Sequence, residues 1–204
     1  MQLAVVPTAD QRSAEILGSV RQAFAEKGFD GASMQDLARA AGISVGSFYR
    51  YFPSKAAIVE ALIALDLAEM ERDFAEIMQS PSPMNALREQ MRRIIPEHQC
   101  NQDGQLWAEI TAAALRKPEI GAAACRMEVE ITGHLCRIFA AATGLSLAEV
   151  QTRCQAHAVF LIMLVKSSAA INRDIGPHLD HLNELIFRTI DKTLDEIASM
   201  TPKV

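Results

Sequence analysis

Aromatic residues are scarce in this chain of 204 residues: they make up 5% of it, with one Trp and two Tyr. Strands favour aromatic and β-branched side chains, and no sustained apolar–polar alternation runs through the sequence, which excludes a sheet-rich fold. No apolar run reaches the roughly 20 residues of a membrane span. The N-terminus lacks a basic segment followed by an apolar stretch, so a secretory leader is not expected and the cytoplasm is the expected compartment. The four cysteines, Cys100, Cys125, Cys136 and Cys154, lack zinc-type spacing, and reduced thiols are expected there. A Gly-rich phosphate loop, a nucleophile elbow and a helical His-x-x-x-His pair are all missing. No catalytic residue, metal ligand or cofactor is assigned, and an enzyme is not expected.

Positive charge is also short: 20 Lys and Arg stand against 25 Asp and Glu, a net charge of −5. That count disfavours a protein that coats nucleic acid through a strongly basic surface. The balance is uneven, however. Residues 1–55 carry a net +1 and the remainder −6. The local field of a docking face matters to phosphates more than the overall count.

What the chain has is helical punctuation. Half of the residues are apolar, chiefly Ala, Leu, Ile and Met, which favour helices. After a frayed arm at Met1–Pro7, Ile16, Leu17, Val20, Phe24 and, past a stop at Gly28, Phe29 predict a supporting helix over about 8–27. Ser33 is a natural N-cap for a short helix over Met34–Ala40, with Leu37, Ala38 and Ala41 on its buried side. Gly42 suits a left-handed C′ residue. Ser44 then caps a second short helix, Val45–Tyr51, pinned by Ile43 and Phe48. Pro53 ends it, because the residue before a proline leaves the helical region. Two short helices around a glycine turn, the second carrying exposed polar and aromatic residues, predict a helix-turn-helix.

The run Ala23-Phe24-Ala25-Glu26-Lys27-Gly28-Phe29, Ser33 to Ala38, and Ala41-Gly42-Ile43-Ser44-Val45-Gly46-Ser47-Phe48-Tyr49-Arg50-Tyr51-Phe52 with Ser54-Lys55 resembles the DNA-binding domain of the tetracycline-repressor (TetR) family. The resemblance covers roughly the first quarter of the chain. Met34 departs from it, since the family usually has a small or β-branched residue there. The resemblance implies an all-α fold of about nine helices. Residues 1–55 would be the DNA-binding domain, and 56–204 a helical domain for effector binding and dimerisation.

Beyond the head, the periodicity predicts helices over about 54–79, 84–98, 105–116, 118–143, 147–172 and 178–199. Ser80-Pro81-Ser82-Pro83 marks a turn. Pro96 should kink or end its helix, and Cys100–Gly104 reads as a loop. Ser146 with Glu149 reads as a capping box. The last two helices have wide apolar stripes and predict a homodimer built as a four-helix bundle.

Candidate DNA contacts come from residue chemistry and the resemblance. Tyr49 and Lys55 resemble the family's phosphate-clamping pair. Ser33 and Ser44 offer hydroxyl or backbone donors, and Tyr51 reaches a phosphate or packs. Val45, Ser47 and Arg50 suit base edges, and Gly46 lets the backbone approach. Phe48 and Phe52 are assigned to the core. The resemblance also implies a small effector, apolar or amphipathic, that releases a palindromic operator in double-stranded DNA. Phe74, Met78, Met91, Ile95, Trp107, Ile110, Met127, Phe160 and Met163 are the candidate pocket residues. Two alternatives stand beside this reading. One is a redox-sensing regulator acting through Cys100; the other is a helical ligand-binding protein without an operator.

Overall fold

The computed structural model describes residues 9–100, 103–169, 171, 176 and 178–201. Among them lie nine helices and no strand, as expected of an all-α chain: α1 Ala9–Gly31, α2 Met34–Ala40, α3 Val45–Tyr51, α4 Lys55–Gln79, α5 Pro83–Cys100, α6 Asp103–Ala114, α7 Pro118–Thr143, α8 Leu147–Ala169 and α9 His178–Ala198. No single described helix is long and apolar enough to cross a membrane.

The chain forms two compact units. One combines the chain up to Leu67 with Gln105–Ala124; the other combines Ala68–Gly104 with the chain from Cys125 on. The dividing points fall inside α4 and α7, so the first unit extends past the expected boundary at 55 and also takes in α6.

In the first unit α1 packs on α2 and α2 on α3. Ile16, Leu17, Val20, Phe24, Leu37, Ala38, Phe48 and Phe52 are buried, joined by Ile58 and Leu62 from α4 and by Leu106, Ile110 and Ile120. Gly28 breaks α1 with φ 71° and ψ 164°, a region open essentially to glycine alone. Past the break, the Phe29 ring stacks on Phe24 at 5.6 Å.

In the second unit α5, α8 and α9 pack on one another. They share a core with Leu135, Ile138 and Phe139 of α7. Arg88 on α5 grips Asp191 and Asp195 on α9, each at 2.7 Å. The predicted capping box is present: Glu149 N–H donates to Ser146 Oγ at 3.3 Å, and Ser146 N–H to the Glu149 carboxylate at 3.0 Å.

Two local expectations fail. Pro96 neither ends α5 nor stops its last turn, which runs to Cys100. A proline removes only one donor, and here the turn beyond it is anchored from outside. Ile95 is fully buried, and Gln99 exchanges side-chain hydrogen bonds with Asn183 of α9 at 2.9 and 3.2 Å. The loop expected over 100–104 is likewise mostly helix, since Cys100 closes α5 and Asp103 opens α6. Gly104 sits where a β-carbon would lie 2.5 Å from the Ala169 carbonyl and 2.8 Å from that of His98. The backbone at Gly104 thus passes close to the ends of α5 and α8. The side chain of Cys100, and with it the redox expectation, lies outside the described residues. The dimer helix expected to reach Asn172 ends at Ala169, and Asn172 is not among the described residues.

Candidate nucleic-acid interface

The caps that set the short helices are all made locally. At α2 the Ser33 hydroxyl accepts the Asp36 N–H at 3.1 Å, while the Ser33 N–H donates to the Asp36 carboxylate at 3.0 Å. Lys27 closes on the same carboxylate at 2.6 Å. Lys27 first, then Ser33, hold the Asp36 carboxyl well below the usual carboxylate range. At the other end of α2, Ile43 N–H reaches Ala38 O and Gly42 N–H reaches Arg39 O, both at 3.1 Å. With Gly42 at φ 67°, these two bonds form the Schellman closure of a helix. Ser44 then caps α3, its hydroxyl accepting Ser47 N–H at 3.1 Å and donating to Ser47 Oγ at 2.9 Å.

These caps leave α3 with one buried side and one bare side. Phe48 is fully buried and Phe52 nearly so, with ring centroids 5.6 Å apart. Tyr49 is 49% and Tyr51 41% exposed. Arg50 and Gly46 are exposed, and Val45 and Ser47 are half-buried. A β-carbon on Gly46 would meet nothing within 4 Å. The bare side thus gathers two phenols, a guanidinium, a hydroxyl and an unscreened stretch of backbone. Hydroxyl, guanidinium and backbone N–H groups are the kinds that bond phosphates and base edges in protein–DNA interfaces. Ser33 and Ser44 lie at the helix starts with their hydroxyls engaged in the caps. Arg39, in the last turn of α2, is also exposed and is missing from the sequence-based set.

Lys55 is differently disposed. Its ammonium donates to the carbonyls of Phe29 at 2.7 Å, Ala32 at 3.0 Å and Asp30 at 3.3 Å, and it stands over the Phe29 ring at 5.0 Å. The same turn is held from α6, where the Glu109 carboxylate accepts the Phe29 N–H at 3.1 Å. Lys117 and Arg116 both reach the Asp30 carboxylate at 3.1 Å. None of these partners is near in sequence, and no local signal announces them.

The nine candidate pocket residues are divided between the two units. Trp107 and Ile110 belong to the first unit, the other seven to the second. Met91, Ile95 and Met127 are buried, Phe160 is half-buried and Met163 is half-exposed. Phe74 and Met78 do come together. They line a groove of about 370 Å³ with Glu71, Ala75, His134 and Arg137. There the His134 ring stacks on Phe74 at 4.7 Å, and its Nδ1 faces Arg137 at 2.8 Å. Burial, then the Arg137 charge, lowers the His134 pKa.

The profile described as "Bacterial regulatory proteins, tetR family" matches residues 16–62, the stretch that holds all of these caps. The chain is 29% identical to the HTH-type transcriptional regulator UidR of Escherichia coli K12, over 65% of this chain and 64% of that one. The match therefore spans just under two thirds of that relative. In three dimensions it resembles GusR of Salmonella enterica, with a TM-score of 0.73 at 22% identity over 93% of this chain and 96% of GusR. It also resembles AibR, solved in complex with isovaleryl coenzyme A and operator DNA, with a TM-score of 0.63 at 17% identity over 91% and 97%. The capped helix pair and the profile that matches it identify residues 16–62 as a DNA-binding domain of the tetR family of bacterial regulatory proteins, in a chain whose all-helical fold resembles that of GusR.

Proposed function

We propose that the protein is a sequence-specific repressor that binds a palindromic operator in double-stranded DNA as a homodimer. The observation that carries this is the bare side of α3: Tyr49, Arg50, Tyr51 and Ser47 around an open Gly46, above buried Phe48 and Phe52. In this reading Tyr49 and Tyr51 contact phosphates, with backbone donors near Ser33 and Ser44. Val45, Ser47 and Arg50 read base edges over the close approach that Gly46 permits. Residues 1–55 supply the reading head, and 56–204 supply dimerisation and effector response.

The dimer forms through α8 and α9. Support comes from apolar side chains left uncovered on them, Val159 at 52%, Met163 at 51% and Leu185 at 50% exposure. A two-fold dimer sets two α3 helices about one helical turn of DNA apart, or a multiple of it. A small apolar or amphipathic effector shifts the protein toward a state that fits the operator less well. The Phe74–Met78–His134 groove supports that class, as does the acyl-coenzyme A bound by the structurally similar AibR.

The test is selection of bound duplexes from a random-sequence pool with purified protein. An enriched inverted repeat is the expected result. A folded dimer that enriches nothing, even after denaturation and refolding to strip a bound effector, overturns the reading. Arg50→Ala should then alter the preferred base at one symmetric pair of positions, with a loss of about 1–3 kcal/mol at the guanine it contacts. An unchanged preference would remove Arg50 from the base-reading set.

A further inference from the structure

We infer that Lys55 is a positioning residue that caps the C-terminal end of α1 and sets the reading head, and that it makes no phosphate contact. The inference rests on the DNA-binding reading above and replaces the phosphate-clamping role that the family resemblance implies for this residue.

The helix ends carry the inference. Lys55 is the first residue of α4, where the helix dipole is positive and a cation is unfavourable. The side chain turns away from that end and reaches a negative one. The carbonyls of Phe29, Asp30 and Ala32 lie where α1 finishes, at Gly31, and have no further turn of helix to bond. The ammonium has three donors and no more. All three acceptors lie between 2.7 and 3.3 Å from it. The Phe29 ring, 5.0 Å away, adds a cation–π contact. A phosphate contact would require the ammonium to give up at least one carbonyl in a partly buried place, leaving that oxygen without its donor.

The cap bears on DNA through its place in the chain. Ala32 is fully buried, and Ser33, next to it, is the N-cap of α2. Lys55 therefore holds the point where α1 hands over to the helix-turn-helix, and it does so from the start of the helix after α3. One side chain ties both ends of the reading pair together.

Two substitutions separate a cap from a clamp. Met keeps the length of the side chain without its charge. Arg keeps the charge, but its planar fork suits a phosphate better than three converging carbonyls. Operator affinity is measured against salt for wild type, Lys55→Met and Lys55→Arg, on a duplex enriched by the wild-type protein. The temperature is one at which circular dichroism shows each protein folded. A clamp predicts that Lys55→Met loses about 0.9 from the salt slope per phosphate released, and that Lys55→Arg keeps wild-type affinity. A cap predicts weaker binding by both variants with the wild-type slope. It also predicts an unfolding midpoint for Lys55→Met lower by roughly 2–4 °C. A shallower slope, an unchanged midpoint or affinity in Lys55→Met, or full recovery by Lys55→Arg overturns the inference. If Lys55→Met does not fold, Lys55→Arg decides alone: wild-type affinity and slope overturn the cap. If the wild-type protein enriches no duplex, the DNA-binding reading fails by itself, and the unfolding midpoints still decide whether Lys55 is a cap.

Discussion

At the scale of single residues, two glycines of the first unit make opposite demands. Gly46 has room for a side chain and ordinary helical surroundings, so Gly46→Ala should leave the fold intact or raise its stability by up to about 1 kcal/mol. Operator affinity should fall, because the added methyl stands where backbone would meet DNA. Thermal unfolding and a binding titration on one sample check both halves, and undiminished affinity would remove Gly46 from the interface. Gly28 has neither freedom. Its φ is 71°, and a β-carbon would lie 2.9 Å from the Glu109 carboxylate. Gly28→Ala should cost about 1–3 kcal/mol, read from urea denaturation. Glycine at 28 was legible as a stop. Its second constraint was not, since Glu109 lies far along the chain and nothing local to Gly28 points to it.

At the scale of elements, the ends of helices were the most readable features. Ser33, Gly42, Ser44 and the Ser146–Glu149 pair act through hydrogen bonds to residues within five positions, so composition and spacing suffice to find them. Pro96 and the 100–104 stretch were misread for the converse reason. The last turn of α5 is held by Asn183 of α9 and by the crossing at Gly104, contacts that local preference does not encode. Lys55 belongs to the same class. Family resemblance marks the position, and only the fold shows which way the ammonium turns.

The cap of α2 also carries a pH dependence of definite sign. The Asp36 pKa is lower in the folded state than in the unfolded one. Its contribution is therefore fully present above about 3.9, the unfolded value, and is lost as pH falls below it. Asp36→Asn should flatten the acid limb of the stability curve of the first unit while leaving its shape near neutrality unchanged. Urea midpoints collected across that range make the comparison; an acid limb as steep as wild type would show that the Lys27–Asp36–Ser33 cluster contributes nothing there.

At the scale of the whole molecule, the exposed apolar side chains of α8 and α9 are the feature that composition foresaw only in part. The stripes were plain, but spacing alone did not show which of their side chains one chain leaves uncovered, as it does Leu185. A Val159→Glu, Leu185→Glu double variant should sediment as a monomer and bind a half-site far more weakly than the wild type binds the full palindrome, because the second head no longer comes with the first. Helical content should be kept, since neither side chain is part of the buried core. A variant that remains dimeric would assign the interface to another surface.

The make-up of the first unit from two separate stretches has a consequence for how such proteins can be recombined. Its buried interior draws Leu106, Ile110, Ala113, Ile120 and Ala123 from a segment that the chain reaches only after a passage through the other unit. A cut after α4 begins would strip the head of that backing. The helix-turn-helix part is therefore not a cassette that gene fusion can lift from one chain and set on another. A working exchange must carry α6 along with α1 to α3, and with it the carboxylate of Glu109 that grips the Gly28 turn. Sequence divergence in the head and in α6 should be inherited together, even though thirty-seven positions separate Leu67 from Gln105 in the numbering.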